Sequence, residues 1–208
     1  MKTVYFVRHG QSEANADLKK QQIPETLLTK KGEQQAEIVA EHLAKLPLDA
    51  LVASTYVRAI ATAKFIHEKT NLPVQYSDLF VEWRRPSVQM LRGRFHPLWI
   101  WAQFNILLNR HRSSYRYSDE ETIDELFARA RAALLYVEHM PGEQIVVVTH
   151  GAFMRCLYSL ITYGDSLTAK LYVKTIRGMF MRNTALMVAT VENGGWTVTH
   201  WNEDASAL

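Results

Sequence analysis

Short apolar runs alternate along this chain with segments in which apolar residues recur at helical spacing. The clearest run is Gln144–Thr149, which is rich in β-branched residues and predicts a buried strand. The predicted strands cover 4–7, 50–54, 73–76 and 144–149, and the predicted helices cover 29–46, 57–69 and 152–163. This alternation favours an α/β fold, a three-layer α/β/α sandwich in which a mostly parallel central sheet has helices on both faces.

Turn and cap signals extend the prediction to the rest of the chain. The runs 184–191 and 196–201 flank an Asn-Gly pair at 193–194, which is typical of a β-hairpin turn. Ser118 is followed three residues later by Glu121, a capping-box pattern that predicts the start of a further helix. The chain is therefore expected to end in an antiparallel strand pair beside the parallel sheet.

Composition narrows the class of protein. The 208 residues include one cysteine, Cys156, so no disulfide within the chain is possible. The net charge of +3 does not favour a nucleic-acid binder. No uninterrupted apolar stretch reaches the ~18 residues of a membrane span, and the first apolar run is too short for a signal peptide. A cytoplasmic protein is the expectation.

The segment 83–118 differs from its surroundings. It contains seven arginines and several aromatic residues but no Asp or Glu. The arginines are at positions 84, 85, 92, 94, 110, 112 and 116. We interpret this segment as an insertion, a lid or wall with one helix near 97–110, within a single domain that covers 1–208.

Two histidines follow predicted buried strands in the same way. His9 and His150 are each followed by glycine, Arg8 precedes the first of them, and Arg58 lies just beyond the second strand at the start of a helix. Ligands in open α/β sheets collect at the carboxyl ends of the strands. A neutral imidazole can act as a nucleophile, and guanidinium groups grip phosphate oxygens. The combination predicts a cationic pocket shaped for a phosphoryl group.

These residues belong to a longer pattern that resembles the histidine phosphatase superfamily, the phosphoglycerate mutase-like proteins. The similarity runs in order over almost the whole chain outside 83–118. The matching motifs are Arg8-His9-Gly10-Gln11-Ser12-Glu13-Ala14-Asn15, Leu28-Thr29-Lys30-Lys31-Gly32 with Gln35-Ala36, Ser54 with Arg58-Ala59 and Thr62-Ala63, Glu82, Val148-Thr149-His150-Gly151, and Asn183-Thr184-Ala185.

The resemblance implies a role for each matching residue around the phosphoryl group. Arg8, Arg58 and His150 would surround the group and stabilise the charge on its oxygens. Asn15 would add a side-chain donor, and the backbone at Gly151 would add another. Positive side chains would then supply the charge that a metal supplies elsewhere, so neither a metal nor a cofactor is expected.

The resemblance also implies a nucleophile and an acid. His9 would become phosphohistidine, and Glu82 would protonate the leaving oxygen and later assist the attack of water. The alternative for Glu82 is a surface carboxylate paired with an arginine. Trp83 would favour the acid role of Glu82 by excluding water from its carboxyl group. Arg84 and Arg85 would oppose that role if their side chains pointed inward.

The family contains both mutases and phosphatases. Its mutases usually carry Glu-Ser-x-Trp-Asn after the Arg-His-Gly, whereas this chain has Ala14 at the tryptophan position. The mutases' Gly-Trp pattern before Leu28 and their Arg-x-Tyr-Gly-x-Leu pattern after Glu82 are also missing from the sequence. These departures favour a phosphatase that hydrolyses phosphomonoesters, with a mutase as the alternative.

The segment 83–118 has several possible roles, so the sequence does not decide which substrate and partners the protein has. It could line a pocket for a substrate with extra anionic groups, cover an apolar phosphomonoester, or form the surface of a homodimer. A non-catalytic phospho-ligand or nucleic-acid binding module would also use arginines and aromatics. That last alternative leaves His9, His150 and Glu82 unexplained together, so a small phosphorylated substrate is the expected partner.

Overall fold

Six strands form one sheet in this computed structural model, which describes residues 1–17, 19–91 and 96–207. The strands are β1 (Lys2–Arg8), β2 (Ala50–Ala53), β3 (Val74–Tyr76), β4 (Gln144–Thr149), β5 (Leu186–Glu192) and β6 (Gly195–Glu203). Their order in the sheet is β3-β2-β4-β1-β5-β6. The first four strands pair in parallel, and β5 and β6 add an antiparallel edge beside β1.

The strand register places the two sequence-predicted histidines side by side. Strands β1 and β4 are neighbours, and Arg8 at the end of β1 lies opposite Thr149 at the end of β4. His9 and His150 are the next residues along each strand, so both leave the sheet at the same carboxyl edge. This edge is where ligands bind in open α/β sheets.

Helices cover both faces of the sheet. The described helices are α1 (Glu13–Ala16), α2 (Lys30–Leu43), α3 (Val57–Thr70), α4 (Ser87–Leu91), α5 (Pro97–Asn109), α6 (Ile123–His139), α7 (Gly151–Tyr163) and α8 (Ala169–Thr175). Alternate residues of the strands point to opposite faces, so one set packs against α2 and α3 and the other against α6, α7 and α8. The predicted three-layer α/β/α sandwich with a mostly parallel sheet is confirmed.

The start of the long helix α6 differs from the prediction. The helix begins at Ile123, where Thr122 and Glu125 form the capping box: the Thr122 hydroxyl accepts from the Glu125 N–H at 3.2 Å, and Glu125 accepts from the Thr122 N–H at 2.9 Å. The predicted cap at Ser118 and Glu121 is wrong. The capping pattern occurs twice in succession here, and the second copy lies directly before the apolar helical face.

Other local predictions are confirmed. Asn193 and Gly194 both adopt positive φ angles, 52° and 80°, as a tight turn between β5 and β6 requires. Helix α5 begins with Pro97 and ends at Asn109, close to the predicted 97–110. Arg92, Arg94 and Phe95 of the predicted insertion lie outside the described residues. Among the helices that the structure describes, none is long and apolar enough to cross a bilayer.

Candidate active site

The hydrogen bonds of His9 define its tautomer. The ring is 2% exposed, its Nδ1 lies 2.7 Å from the Gly10 carbonyl oxygen, and its Nε2 lies 3.2 Å from Nε of Arg58. A carbonyl only accepts and a guanidinium only donates, so Nδ1 carries the proton and Nε2 holds a lone pair. Burial, together with Arg58 and Arg8, holds the pKa of His9 well below its usual value. The residue is therefore a neutral imidazole at neutral pH.

His150 is the second buried imidazole, and its ring centroid lies 5.1 Å from that of His9. Its Nε2 is 2.8 Å from the Ser54 hydroxyl oxygen, which also accepts the Tyr56 N–H at 3.2 Å. We assign the Ser54 proton to the bond with Nε2 of His150, because that nitrogen is the one acceptor for it among the partners of Ser54 in the described residues. Burial, followed by Arg58 and His9, holds the pKa of His150 well below its usual value. The neutral ring then carries its proton on Nδ1.

Two arginines fix the charge of the site. Arg58 is 1% exposed and donates from Nη1 to the Ile23 carbonyl at 2.9 Å, and burial lowers its pKa to about 10. Arg8 donates from Nη1 to the Met181 carbonyl and from Nη2 to the Asn15 amide oxygen at 3.3 Å. Burial also lowers the pKa of Arg8. Both guanidinium groups stay protonated at neutral pH, and neighbouring oxygens hold their orientation.

Two buried N–H groups at this site have no hydrogen-bond partner among the described residues. They are Nε of Arg8 and Nδ1 of His150. A buried donor without an acceptor is costly, and such groups in native structures usually point to a ligand, a water or a strained site. Unpartnered donors on the residue before His9 and on the neighbouring His150 suit the oxygens of a tetrahedral anion.

A cavity of about 220 Å³ opens onto His9. Arg8, Asn15, Glu82 and Arg155 also line it. Arg58 and His150 contact His9 but are not part of this lining. A larger cavity of about 420 Å³ lies between α2 and the segment 180–185 and contains none of the predicted catalytic side chains. We therefore place the candidate active site at the smaller cavity.

Glu82 lies at the start of helix α7. Its carboxylate accepts the N–H groups of Phe153 at 2.9 Å and Ala152 at 3.2 Å, besides the N–H of Trp83 at 3.0 Å. These bonds hold the carboxylate in the wall of the cavity that contains His9. Of the two arginines that the sequence identified as unfavourable for an acid, Arg85 lines the same cavity, and Arg84 lines a neighbouring cavity that also contains Glu82.

Two asparagines connect the His9 loop to the rest of the fold. The Asn15 amide oxygen accepts from Arg8 and from Nδ2 of Asn183 at 3.1 Å, which leaves the Asn15 NH₂ group as a donor. Nδ2 of Asn183 also donates to the His9 carbonyl at 3.1 Å. The sequence matched Asn183 to a family segment but gave it no role, and Ser54 was quoted in the same way. Both act here as positioning residues.

Glycines allow the His9 loop to pack against the start of α2. A Cβ on Gly10 would lie 2.3 Å from the Gly32 carbonyl oxygen, and a Cβ on Gly32 would lie 2.1 Å from the Gln11 carbonyl oxygen. Thr29 caps α2 by accepting the Gly32 N–H at 3.0 Å. Thr29 and Gly32 at the start of α2 therefore hold the loop that carries His9 in place, because the backbone of Gly32 contacts the backbone of that loop closely.

The family model described as histidine phosphatase superfamily (branch 1) matches residues 4–204. The chain belongs to this superfamily. It is 27% identical to a protein of Enterobacter sp. (strain 638) named "Probable phosphoglycerate mutase GpmB", over 97% of this chain and 90% of that protein. It is 29% identical to "Uncharacterized phosphatase PhoE" of Bacillus subtilis (strain 168), over 79% of this chain and 80% of that protein.

The solved structures support the same fold. A mycobacterial glucosyl-3-phosphoglycerate phosphatase in its native form superposes with a TM-score of 0.79 at 22% identity, over 98% of this chain and 99% of that chain. The relatives thus include proteins named as phosphatases and proteins named as mutases. A phosphoryl-transfer enzyme is the class that they share.

Proposed function

We propose that this protein is a metal-independent phosphomonoesterase that works through a phosphohistidine intermediate on His9. The observation that carries the proposal is the buried Nε2 lone pair of His9, in a site where the N–H groups of Arg8 and His150 lack a partner among the described residues. A phosphoryl group placed against this nitrogen would give both donors an acceptor. The lowered pKa of His9 keeps the nucleophile unprotonated at neutral pH.

In the first step, Nε2 of His9 attacks phosphorus and the bond to the leaving oxygen breaks. Arg58 then moves its donor from Nε2 to a phosphoryl oxygen, because the lone pair is used in the new P–N bond. Arg8 and His150 donate to the remaining oxygens, where the charge of the transition state is spread. Glu82 gives its proton to the leaving oxygen, and the alcohol departs.

In the second step, water attacks the phosphohistidine. The Glu82 carboxylate takes a proton from the water, the P–N bond breaks, and its electron pair returns to Nε2 of His9. Inorganic phosphate leaves, and the enzyme is restored with Glu82 protonated.

The described helices of the segment 83–118, α4 and α5, form a lid over the leaving-group side in this proposal. A second cavity of about 180 Å³ adjoins the first and shares Glu82 and Arg155 with it. Gln89 of α4 and Gln103 of α5 line the second cavity and are joined by a hydrogen bond of 3.0 Å. The part of the substrate beyond the phosphate would enter this space, so the lid would select the substrate.

A mutase is the second candidate, because a relative that matches 97% of this chain carries a mutase name. Ala14 in place of the family mutases' tryptophan favours the phosphatase. Product analysis separates the two: a phosphatase releases inorganic phosphate from many monoesters, whereas a mutase interconverts 2- and 3-phosphoglycerate.

The proposal is tested by the turnover of p-nitrophenyl phosphate. The wild-type protein should release phosphate in the presence of EDTA, and His9→Ala should abolish the release. His139→Ala is the matched control, because this exposed histidine at the end of α6 lies away from the cavity, and it should keep full activity. Turnover by the His9→Ala protein would exclude the mechanism.

A further inference from the structure

A buried ion pair lies beside the segment that carries Glu82. Arg129 of α6 donates from Nε to Oε1 of Glu121 and from Nη2 to Oε2 of Glu121, both at 2.7 Å. The two side chains are 10% and 5% exposed, whereas every other ion pair in the described part of the chain joins side chains that are at least 37% exposed. Neither residue lines the cavity that contains His9, so the pair has no part in the reaction described above.

Arg129 holds the backbone before Glu82. Its Nη1 donates to the Val81 carbonyl at 2.8 Å and to the Leu79 carbonyl at 2.9 Å. The guanidinium also lies over the ring of Phe153, with Cζ 4.4 Å from the ring centroid. The N–H of Phe153 is one of the donors to the Glu82 carboxylate. Arg129 therefore contacts both the segment that leads into Glu82 and a residue that binds its carboxylate.

Glu121 holds the backbone after Glu82. The Glu121 N–H donates to the Arg84 carbonyl at 3.1 Å, and the Arg84 N–H donates to Oε2 of Glu121 at 3.3 Å. The Glu121 carbonyl accepts the indole N–H of Trp83 at 2.8 Å. Because Glu121 and Arg129 are also joined to each other, one ion pair fixes the chain on both sides of Glu82.

Net stability does not explain a buried pair of this kind. Removing two charges from water is costly, and apolar side chains of similar volume are often as stable or more stable in their place. What this pair supplies is geometry, because each guanidinium nitrogen of Arg129 has an acceptor and two of its four bonds go to the backbone before Glu82. A catalytic group that is misplaced by about 1 Å can lose about 100-fold in rate, so an acid needs such support.

We propose that Arg129 and Glu121 are positioning residues that hold Glu82 where it can protonate the leaving oxygen. The pair fixes the backbone on both sides of Glu82, and the N–H groups at the start of α7 then orient its carboxyl group in the cavity wall. This inference rests on the proposed function, because it requires Glu82 to act as the acid. It predicts that loss of the ion pair harms the substrates that need a proton more than those that do not.

Arg129→Lys tests the proposal, because an ammonium keeps the charge but cannot reproduce the planar set of donors that binds two carbonyls and two carboxylate oxygens. The assay measures kcat/KM for p-nitrophenyl phosphate and for benzyl phosphate. Both esters carry one aromatic ring, but only the benzyl alcohol leaving group depends on protonation. We expect kcat/KM to fall about 10- to 100-fold more for benzyl phosphate than for p-nitrophenyl phosphate. Equal losses for the two esters, or no loss, overturn the proposal.

Two further variants separate positioning from stability. Glu121→Gln keeps the volume and the backbone bonds of Glu121 but removes its charge, and it should show the same selective loss; it decides the question if the Arg129→Lys chain does not fold. Val137→Ala is the matched control, since Val137 is fully buried on α6 about two turns beyond Arg129. It should lower the thermal unfolding temperature and leave the ratio of the two kcat/KM values unchanged. A merely structural ion pair would behave like this control.

Glu82→Gln distinguishes a failure of this inference from a failure of the proposed function. If Glu82→Gln loses benzyl phosphate turnover selectively and the ion-pair variant does not, Glu82 remains the acid and the positioning role is overturned. If Glu82→Gln loses both activities equally, Glu82 is not the acid and both proposals fail at that residue. Selective loss in Glu82→Gln and in the ion-pair variant is the result that we expect.

Discussion

Ser54 holds His150 in the tautomer on which the proposed site depends, so its hydroxyl can be tested directly. Ser54→Ala removes the group that lies 2.8 Å from Nε2 of a fully buried imidazole. An unsatisfied buried polar atom costs about 1–3 kcal/mol. If this cost appears in the transition state, where Nδ1 of His150 must donate to the phosphoryl group, kcat should fall by about 5- to 150-fold.

The matched control is Ser159→Ala on α7. Ser159 is equally buried, but its hydroxyl donates to the Arg155 carbonyl one turn earlier in the same helix, at 2.8 Å. Both variants should be folded in the absence of urea, with Ser54→Ala the less stable of the two, and only Ser54→Ala should lose kcat for p-nitrophenyl phosphate. Equal kcat values for the two variants would refute the reasoning about the His150 tautomer.

Three further predictions concern the acid, the buried histidines and the His9 loop. Glu82→Gln should slow the hydrolysis of an alkyl phosphate far more than that of p-nitrophenyl phosphate, whose leaving group needs little protonation; equal losses would remove Glu82 as the acid. Folding lowers the pKa values of His9 and His150, so the unfolded chain binds more protons than the folded chain below about pH 6.5. The free energy of unfolding should therefore fall as the pH drops, by up to about 1.4 kcal/mol per pH unit for each histidine. Urea unfolding at about pH 7 and about pH 5.5 measures this fall, and a flat profile would contradict it. Gly32→Ala should cost about 1–3 kcal/mol and most of the activity, because its Cβ would lie 2.1 Å from the Gln11 carbonyl oxygen; wild-type stability would show that the loop yields easily.

Buried strands were accessible from the sequence because their signals are strong. Gln144–Thr149 has the same bounds in the prediction and in the structure, since a run of Ile and Val between turn residues reads as a buried strand. The start of α6 was misassigned because Ser118 and Thr122 both begin a capping pattern. Short helices such as Ala169–Thr175 were not predicted, because seven residues carry too little periodicity.

The candidate site could be predicted as a set of residues but not as a set of hydrogen bonds. Arg8, His9, Arg58 and His150 converge as expected, because neighbouring parallel strands bring them to one edge of the sheet. The Met181 carbonyl that holds Arg8 has no sequence signal, since every residue has a carbonyl group. The tautomers of both histidines likewise depend on oxygen positions that only the folded chain supplies.

The outer face of α5 illustrates a different kind of limit. The sequence identified 83–118 as basic and aromatic but left open whether its apolar side chains face the substrate or the solvent. In the structure, Gln103 and Ile106 face the cavity while Trp101 and Phe104 face outward. Helical periodicity alone could not assign these faces, because apolar residues occupy most of the helix.

Trapping the phosphorylated enzyme tests the central claim most directly. The protein is mixed with a ³²P-labelled phosphomonoester and quenched in alkaline denaturant during turnover, and the labelled peptide is identified by mass spectrometry. We predict a label on the peptide that contains His9, stable in alkali and lost in mild acid. Turnover without a labelled peptide, or a label on a serine that survives acid, would contradict a nucleophilic imidazole at the end of β1.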